Sequence, residues 1–360
     1  MSSEFDFSSR LKKLNEKIFS GDVEGILISK PENIFYFSGF RGDSTILFVT
    51  KNFRKLVTDG RYTEQAKLQA KNFEIVEQRE GLFKKVAEEV KNSGAKKICF
   101  EGGITTFNEY IYLRENLPGV ELHSGEVDSL RQVKDEKEIP LIRRACEIAD
   151  RAFAEILNFI RPGLHEFEVA AELEYLMRKF GSEKAAFDTI AASGIRGSLP
   201  HGTASAKEIF SGELLTLDFG AVFSGYHSDI TRTVCVGKAD ERQKKIYSVV
   251  LDAQLHGLEV IKAGVSGKAA DAAVRKKISD AGFGEYFSHA LGHSVGLEIH
   301  EEPRLSRLSK CERLEPGMIV TDEPGIYIPE FGGVRIEDTV LVKNSGAEVL
   351  TKSPKNLIEL

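Results

Sequence analysis

The chain has 360 residues, 41% hydrophobic and 29% charged, with a net charge of −6 at pH 7. This is the composition of an ordinary globular protein with room for two domains, and an acidic chain without clustered Lys and Arg is a poor nucleic-acid partner. No run reaches the roughly 18 apolar residues of a membrane span, and the charged N-terminus is not a secretory signal. The four cysteines (Cys99, Cys146, Cys235, Cys311) form no C-x-x-C pair, which argues against a disulfide framework or a thiolate zinc site and for a reducing cytoplasm.

In chain order, short runs rich in β-branched and apolar residues predict strands at 25–29, 44–50, 54–60, 73–78, around 97–103 and at 119–125. Between them, 62–70, 81–94 and 105–117 carry apolar residues at helical spacing. This alternation predicts an α/β domain with a mixed sheet. A polar stretch, 129–138, follows, and the boundary is expected near Val133. A long amphipathic helix then starts near Ile139, with Ile142, Ala145, Ile148, Ala149, Ala152, Phe153, Ile156 and Leu157 on one face. Arg161-Pro162-Gly163 ends it. Further helices are expected at 166–180, 241–262 and 267–281. The rest beyond 185 reads as strand and hairpin, an α+β arrangement.

The chemistry concentrates in that second half. In "LDFGAVFSGYHSDITRT" (217–233), Asp218 and Asp229 flank one hairpin. A four-residue loop, 222–225, sets them opposite each other; a two-residue Ser224-Gly225 loop makes them diagonal neighbours. In either register both carboxylates share a face, within about 8 Å. Leu215, Leu217, Ile230, Val234 and Val236 argue that these strands are buried on at least one face. Two like charges that close need a shared proton or a cation. Glu323 ends another apolar strand, Glu337 lies in a further one, and "HALGHSVGLEIHEEP" (289–303) supplies His289, His293 and His300. Oxygen donors with one imidazole suit Mn²⁺, Co²⁺, Fe²⁺ or Zn²⁺. Four carboxylates balance two divalent ions, a pair suited to amide hydrolysis.

"LDFGAVFSGYHSDITRT", "GHSVGLEIHE", "TDEPGIY" and "VRIED" resemble the pita-bread metallopeptidases, which include methionine aminopeptidase, aminopeptidase P, prolidase and the metal-free creatinase. "NIFYFSGFRGDSTILFVT", "LVTDGRYTEQA" and "RQVKDEKEI" resemble the N-terminal domain and junction of the proline-specific members. The resemblance implies an α/β N-terminal domain of the creatinase or ribonuclease H-like kind over 1–132, with a mixed sheet. An α+β pita-bread catalytic domain follows over 133–360. It implies two divalent ions per chain (Mn, Co or Zn), with Asp218 on one, Asp229 and Glu337 bridging, and His293 and Glu323 completing the ligands of the second ion. It implies catalytic roles for His201, Glu323 and His300, and substrate-binding roles for His289 and Arg335. Thr231 and Thr233 are candidates to orient Asp229. The implied activity is an exopeptidase that cleaves Xaa-Pro bonds of peptides or dipeptides by attack of metal-bound hydroxide. The implied partners are a proline-containing peptide and a second copy in a homodimer, with no nucleic acid and no membrane. In relatives the loop matching 39–43 approaches a partner's active site, which makes Arg41 a candidate contributor. The alternatives are an aminopeptidase of other specificity and a non-catalytic binding protein on the same fold; the presence of all five candidate ligands disfavours the latter. His123, His165, His227 and His256 are read as structural or exposed.

Overall fold

Phe7, Leu11, Leu14 and Ile18 recur at helical spacing and bury one face of α1 (Phe7–Ile18), whose first turn is capped by the Asp6 carboxylate. This computed structural model describes residues 5–360 and divides into two units between Arg131 and Gln132. The first unit continues through β1 (Gly25–Ile28), α2 (Pro31–Ser38), β2 (Ile46–Thr50), β3 (Arg54–Asp59), α3 (Thr63–Gln69), β4 (Glu74–Gln78), α4 (Leu82–Ser93), β5 (Lys97–Glu101), α5 (Phe107–Asn116) and β6 (Glu121–Gly125). One six-stranded sheet runs β4-β3-β2-β1-β5-β6. β2 is antiparallel to β1 and β3, and the remaining pairs are parallel, so the sheet is mixed. Val86, Ala87 and Val90 of α4 and Leu113 of α5 pack on Leu27, Phe48, Val57 and Ile98 of the sheet. All six strands lie where alternation predicts them. α1 and α2 were not expected. In α1 lysines and polar residues separate the apolar positions. In α2 an aromatic run of strand-like composition is forced helical, with Pro31 at its start and Gly39 at φ 74° ending it.

The second unit holds α6 (Glu138–Ile156), α7 (Glu166–Lys179), β7 (Ile190–Ser193), β8 (Glu213–Phe219), β9 (Val222–Phe223), β10 (Tyr226–His227) and β11 (Ile230–Val236). It continues with α8 (Glu241–Val260), α9 (Gly267–Asp280), β12 (Gly292–Ser294), β13 (Glu301–Leu305), β14 (Ile319–Asp322), β15 (Gly325–Ile328), β16 (Gly332–Arg335), β17 (Asp338–Lys343) and β18 (Gly346–Val349). All its sheet pairings are antiparallel, in sheets ordered β11-β8-β7, β13-β12-β14-β17-β18, β10-β9 and β15-β16. Each of the two larger sheets carries a helix pair. Ile148, Ala152, Phe153 and Ile156 of α6 and Val169, Leu173 and Met177 of α7 cover Leu215, Leu217, Phe219, Ile230, Val234 and Val236. Ile246, Val250 and Ala253 of α8 and Ala270, Val274 and Ile278 of α9 cover Val320, Val340, Val342 and the β15-β16 hairpin. Strand alternation sends the intervening residues of each sheet away from its helices. Those residues build the site. Among the described residues no helix is long and apolar enough to cross a membrane, and all four cysteines are free.

Candidate active site

The hairpin around 217–233 takes the diagonal register. Its turn is Ser224-Gly225, both residues at positive φ (51° and 84°), the type I′ geometry that matches strand twist. Thr231 therefore faces Asp218, and Asp229 lies one diagonal step away. Leu215, Leu217 and Phe219 point into the helical core, so Asp218 points out of it, beside Asp229. Glu337, between β16 and β17, joins them. One carboxylate oxygen from each of Asp218, Asp229 and Glu337 lies within 4.8 Å of the others. Across from them, His293 on β12 sets Nε2 at 3.5 Å from Asp229 Oδ2 and 3.4 Å from Glu323 Oε1. Glu323 directly follows β14, and its Oε1 accepts from Thr321.

The electrostatics of this cluster are those of a cation site. Burial first, then the neighbouring Glu337 and Asp218 charges, push the Asp229 carboxyl well above the carboxylate range. Burial followed by Glu323 and Asp218 does the same to Glu337. Burial pushes Glu323 up to about 8 against the pull of Arg335. Burial, then His300, holds His293 down to about 3, so its imidazole is neutral. His293 Nδ1 faces the Ser294 carbonyl and must carry the proton, which leaves the Nε2 lone pair aimed at two carboxylates. Acceptors that face one another need a proton or a cation between them. Buried Asp218 Oδ1 and Glu337 Oε1 also lack any protein partner. The donor set thus fits divalent metal.

The cluster forms the floor of a cavity of about 570 Å³. His201, His289, His300, Arg304 and Arg335 line it, together with an apolar wall of Phe187, Ile190, Pro200 and Ile299. His201 and His300 are exposed within it. The His300 ring meets that of His293 edge-on, centroids 4.3 Å apart.

Comparison with known proteins decides the family. Residues 140–344 match the model of metallopeptidase family M24, and residues 10–133 match the creatinase/prolidase N-terminal domain. The chain belongs to metallopeptidase family M24. Within it, the chain is a metallo-exopeptidase of the proline-specific pita-bread branch. An Xaa-Pro dipeptidase from Bacillus anthracis is 46% identical with TM-score 0.96, over 99% of this chain and 100% of that one. An Xaa-Pro dipeptidase from Pyrococcus furiosus is 42% identical over 360 residues, 97% of this chain and 99% of the relative. An X-Pro aminopeptidase from Thermotoga maritima is 40% identical with TM-score 0.88, over 94% and 98% of the two chains.

Two of the expected substrate-side residues line the cavity while also bonding within the protein, and one expected contact changes. Arg335, expected to grip substrate, spends four of its five N–H groups on the protein. They go to Asp218 Oδ2 at 2.6 Å, Tyr327 Oη at 2.7 Å, Thr231 Oγ1 at 3.0 Å and the Pro200 carbonyl at 3.2 Å. It holds Asp218 at the edge of the cavity. His289, also expected on substrate, has both ring nitrogens engaged. Nδ1 donates to the Ala290 carbonyl (2.7 Å), so Nε2 accepts from the Tyr327 hydroxyl (2.8 Å). Burial, then Arg335, holds it down to about 4 and neutral. Thr231 orients Glu337, not Asp229, by donating to Glu337 Oε2 at 2.7 Å. Thr233 bonds Thr216 and the Arg335 carbonyl. Of the groups that went unnoticed, Tyr327 joins Arg335 to His289, and Arg304 stands beside His300. His227 is buried on the Gly296 carbonyl, and His165 caps α7 with Glu168, both structural.

Proposed function

We propose that this M24 member is a dinuclear Xaa-Pro dipeptidase. The observation that carries the reading is the convergence of Asp218, Asp229 and Glu337 within 4.8 Å, faced by the Nε2 lone pair of His293 and by Glu323. Those five side chains would hold two divalent cations. When bound, such ions lower the pKa of a ligated water toward neutrality and polarise the scissile carbonyl.

The protein's own groups supply the rest. Glu323, at the edge of that cluster, takes a proton from the attacking water at its carboxylate. The proline nitrogen of the substrate carries no hydrogen and must be protonated to leave, so the same carboxyl returns the proton there. His201 and His300, exposed in the cavity, donate to the oxygen on which negative charge develops. Phe187, Ile190, Pro200 and Ile299 provide an apolar wall against which a pyrrolidine ring packs. Arg304, with a side chain 60% exposed, offers a guanidinium for the free carboxylate of a dipeptide.

Two of the named relatives are Xaa-Pro dipeptidases. The likeness to an X-Pro aminopeptidase favours longer peptides as the second reading. Metal-loaded protein assayed on Xaa-Pro, Xaa-Pro-Yaa and Xaa-Ala peptides separates them. Turnover of Xaa-Pro alone is the expected result. Preference for tripeptides supports the aminopeptidase reading, and no cleavage of any Xaa-Pro bond with Mn²⁺, Co²⁺ or Zn²⁺ supplied defeats both.

A further inference from the structure

The loop that carries His201 leaves β7 at Ser193 and returns past Ser205, and both of its ends rest on one carboxylate. Glu166, the first residue of α7, is fully buried. Its Oε1 accepts from the Ser193 backbone N–H at 2.7 Å and the Ser193 hydroxyl at 2.9 Å. Its Oε2 accepts from the Ser205 hydroxyl at 2.7 Å, the Ser205 N–H at 3.2 Å and Nη1 of Arg196. Arg196 lies within the loop, and its Nη2 donates to the Thr203 carbonyl at 2.9 Å, two residues past His201. The far side of the loop sits against the β15-β16 hairpin so closely that a Cβ on Gly333 would stand 2.2 Å from the Gly197 carbonyl oxygen.

An acid at a helix start is favourable there in any protein, through the helix dipole. Glu166 does something else. The cap of α7 is supplied by His165 and Glu168, and every side-chain bond of Glu166 goes to the His201 loop. His201 itself is exposed, and no side chain among the described residues hydrogen-bonds its ring. The place from which that ring reaches the cavity is set by the loop backbone, and the backbone is tied at both ends to Glu166.

We propose that Glu166 is the positioning residue of His201, acting through Arg196 and the two serines; this rests on the catalytic reading of His201 above. A buried carboxylate with five converging donors fixes a loop more tightly than exposed contacts do. A catalytic group displaced by about 1 Å costs on the order of 10²-fold in rate.

The test is a double-mutant cycle of Glu166→Gln with His201→Ala, read as kcat, KM, bound metal per chain and melting temperature. E166Q keeps one acceptor oxygen, enough for Ser193, and turns an uncharged amide donor toward Ser205 and Arg196. It should lower kcat about 10²-fold with KM and metal content nearly unchanged, and should cost nothing further once His201 is alanine. Losses that multiply in the double mutant overturn the proposal alone. Full activity in H201A overturns the reading of His201 and this proposal with it. If E166Q does not fold, Ser205→Ala carries the same cycle: a smaller kcat loss that vanishes in the H201A background supports the proposal, and one that persists there overturns it.

Discussion

Glu337 and Asp338 are neighbours in sequence and opposites in environment. Asp338 faces α8, where its carboxylate accepts from Arg232 (2.8 Å), Thr351 (2.8 Å), Gln254 (2.9 Å) and Lys355. Burial works against its charge, yet Arg232 and Lys355 hold it below the ordinary range. Glu337, on the other face, has Thr231 on one oxygen and nothing on the other. Both carboxylates are buried. The protein compensates one internally and leaves the other, with Asp229, Glu323 and Asp218, in a pool of negative charge. Asp322, across the ladder from Asp338, has no partner on either oxygen; burial and the Asp338 charge push it well above the carboxylate range. Between Glu337 and Asp338 the difference is one of compensation: Asp338 has its countercharges inside the fold, whereas Glu337 shares a cluster whose donors fit a cation.

The largest effect expected on the open side is Asp229→Ala, which should abolish both metal binding and peptidase activity while leaving the melting temperature of the metal-stripped protein intact or raised. Retained activity would remove Asp229 from the centre. On the closed side, Arg232→Ala should destabilise by about 3–5 kcal/mol, because it removes one of the two countercharges of buried Asp338. Denaturant unfolding checks this, and a cost below about 1 kcal/mol would mean the pair is not a structural ion pair.

Smaller effects sharpen the contrast. Thr231→Val removes the hydroxyl that ties Glu337 to Arg335. Metal affinity should fall about 10- to 100-fold in a calorimetric titration, with folding nearly unchanged. The pH response gives the finest discrimination. In metal-free protein the raised carboxyls hold protons that the unfolded chain releases. Their cost is absent below the unfolded value near 4 and complete above the folded one, about 8 for Glu323. Metal-stripped protein should therefore lose stability as pH rises from about 5 to about 8, and metal binding should release protons into a weakly buffered solution. A flat profile would show that these acids are already compensated.

Much of this was legible in the sequence, for physical reasons that differ by region. The β-branched and apolar runs of the first unit and the helical spacing of α6 to α9 encode burial directly. Strand alternation alone put Asp218 and Asp229 on one face. The register was open until Ser224 and Gly225 adopted positive φ. The gathering of Glu323, Glu337 and His293 came from resemblance, since no local pattern links residues on or beside β12, β14 and β17. Tyr327, Arg304 and the Glu166–Arg196 tie were invisible for the same reason. Their partners are fixed by packing across the fold, and an arginine or glutamate reads in sequence as a solvated charge. The tie of Arg335 to Asp218 is likewise a matter of distance across the fold, which its charge alone does not reveal.

The most direct measurement is anomalous diffraction from crystals soaked in Mn²⁺. Two peaks enclosed by Asp218, Asp229, His293, Glu323 and Glu337 are expected in each chain, absent in Asp229→Ala. No peak there, or peaks that survive the substitution, would contradict the claim that these uncompensated acids exist to hold a metal pair.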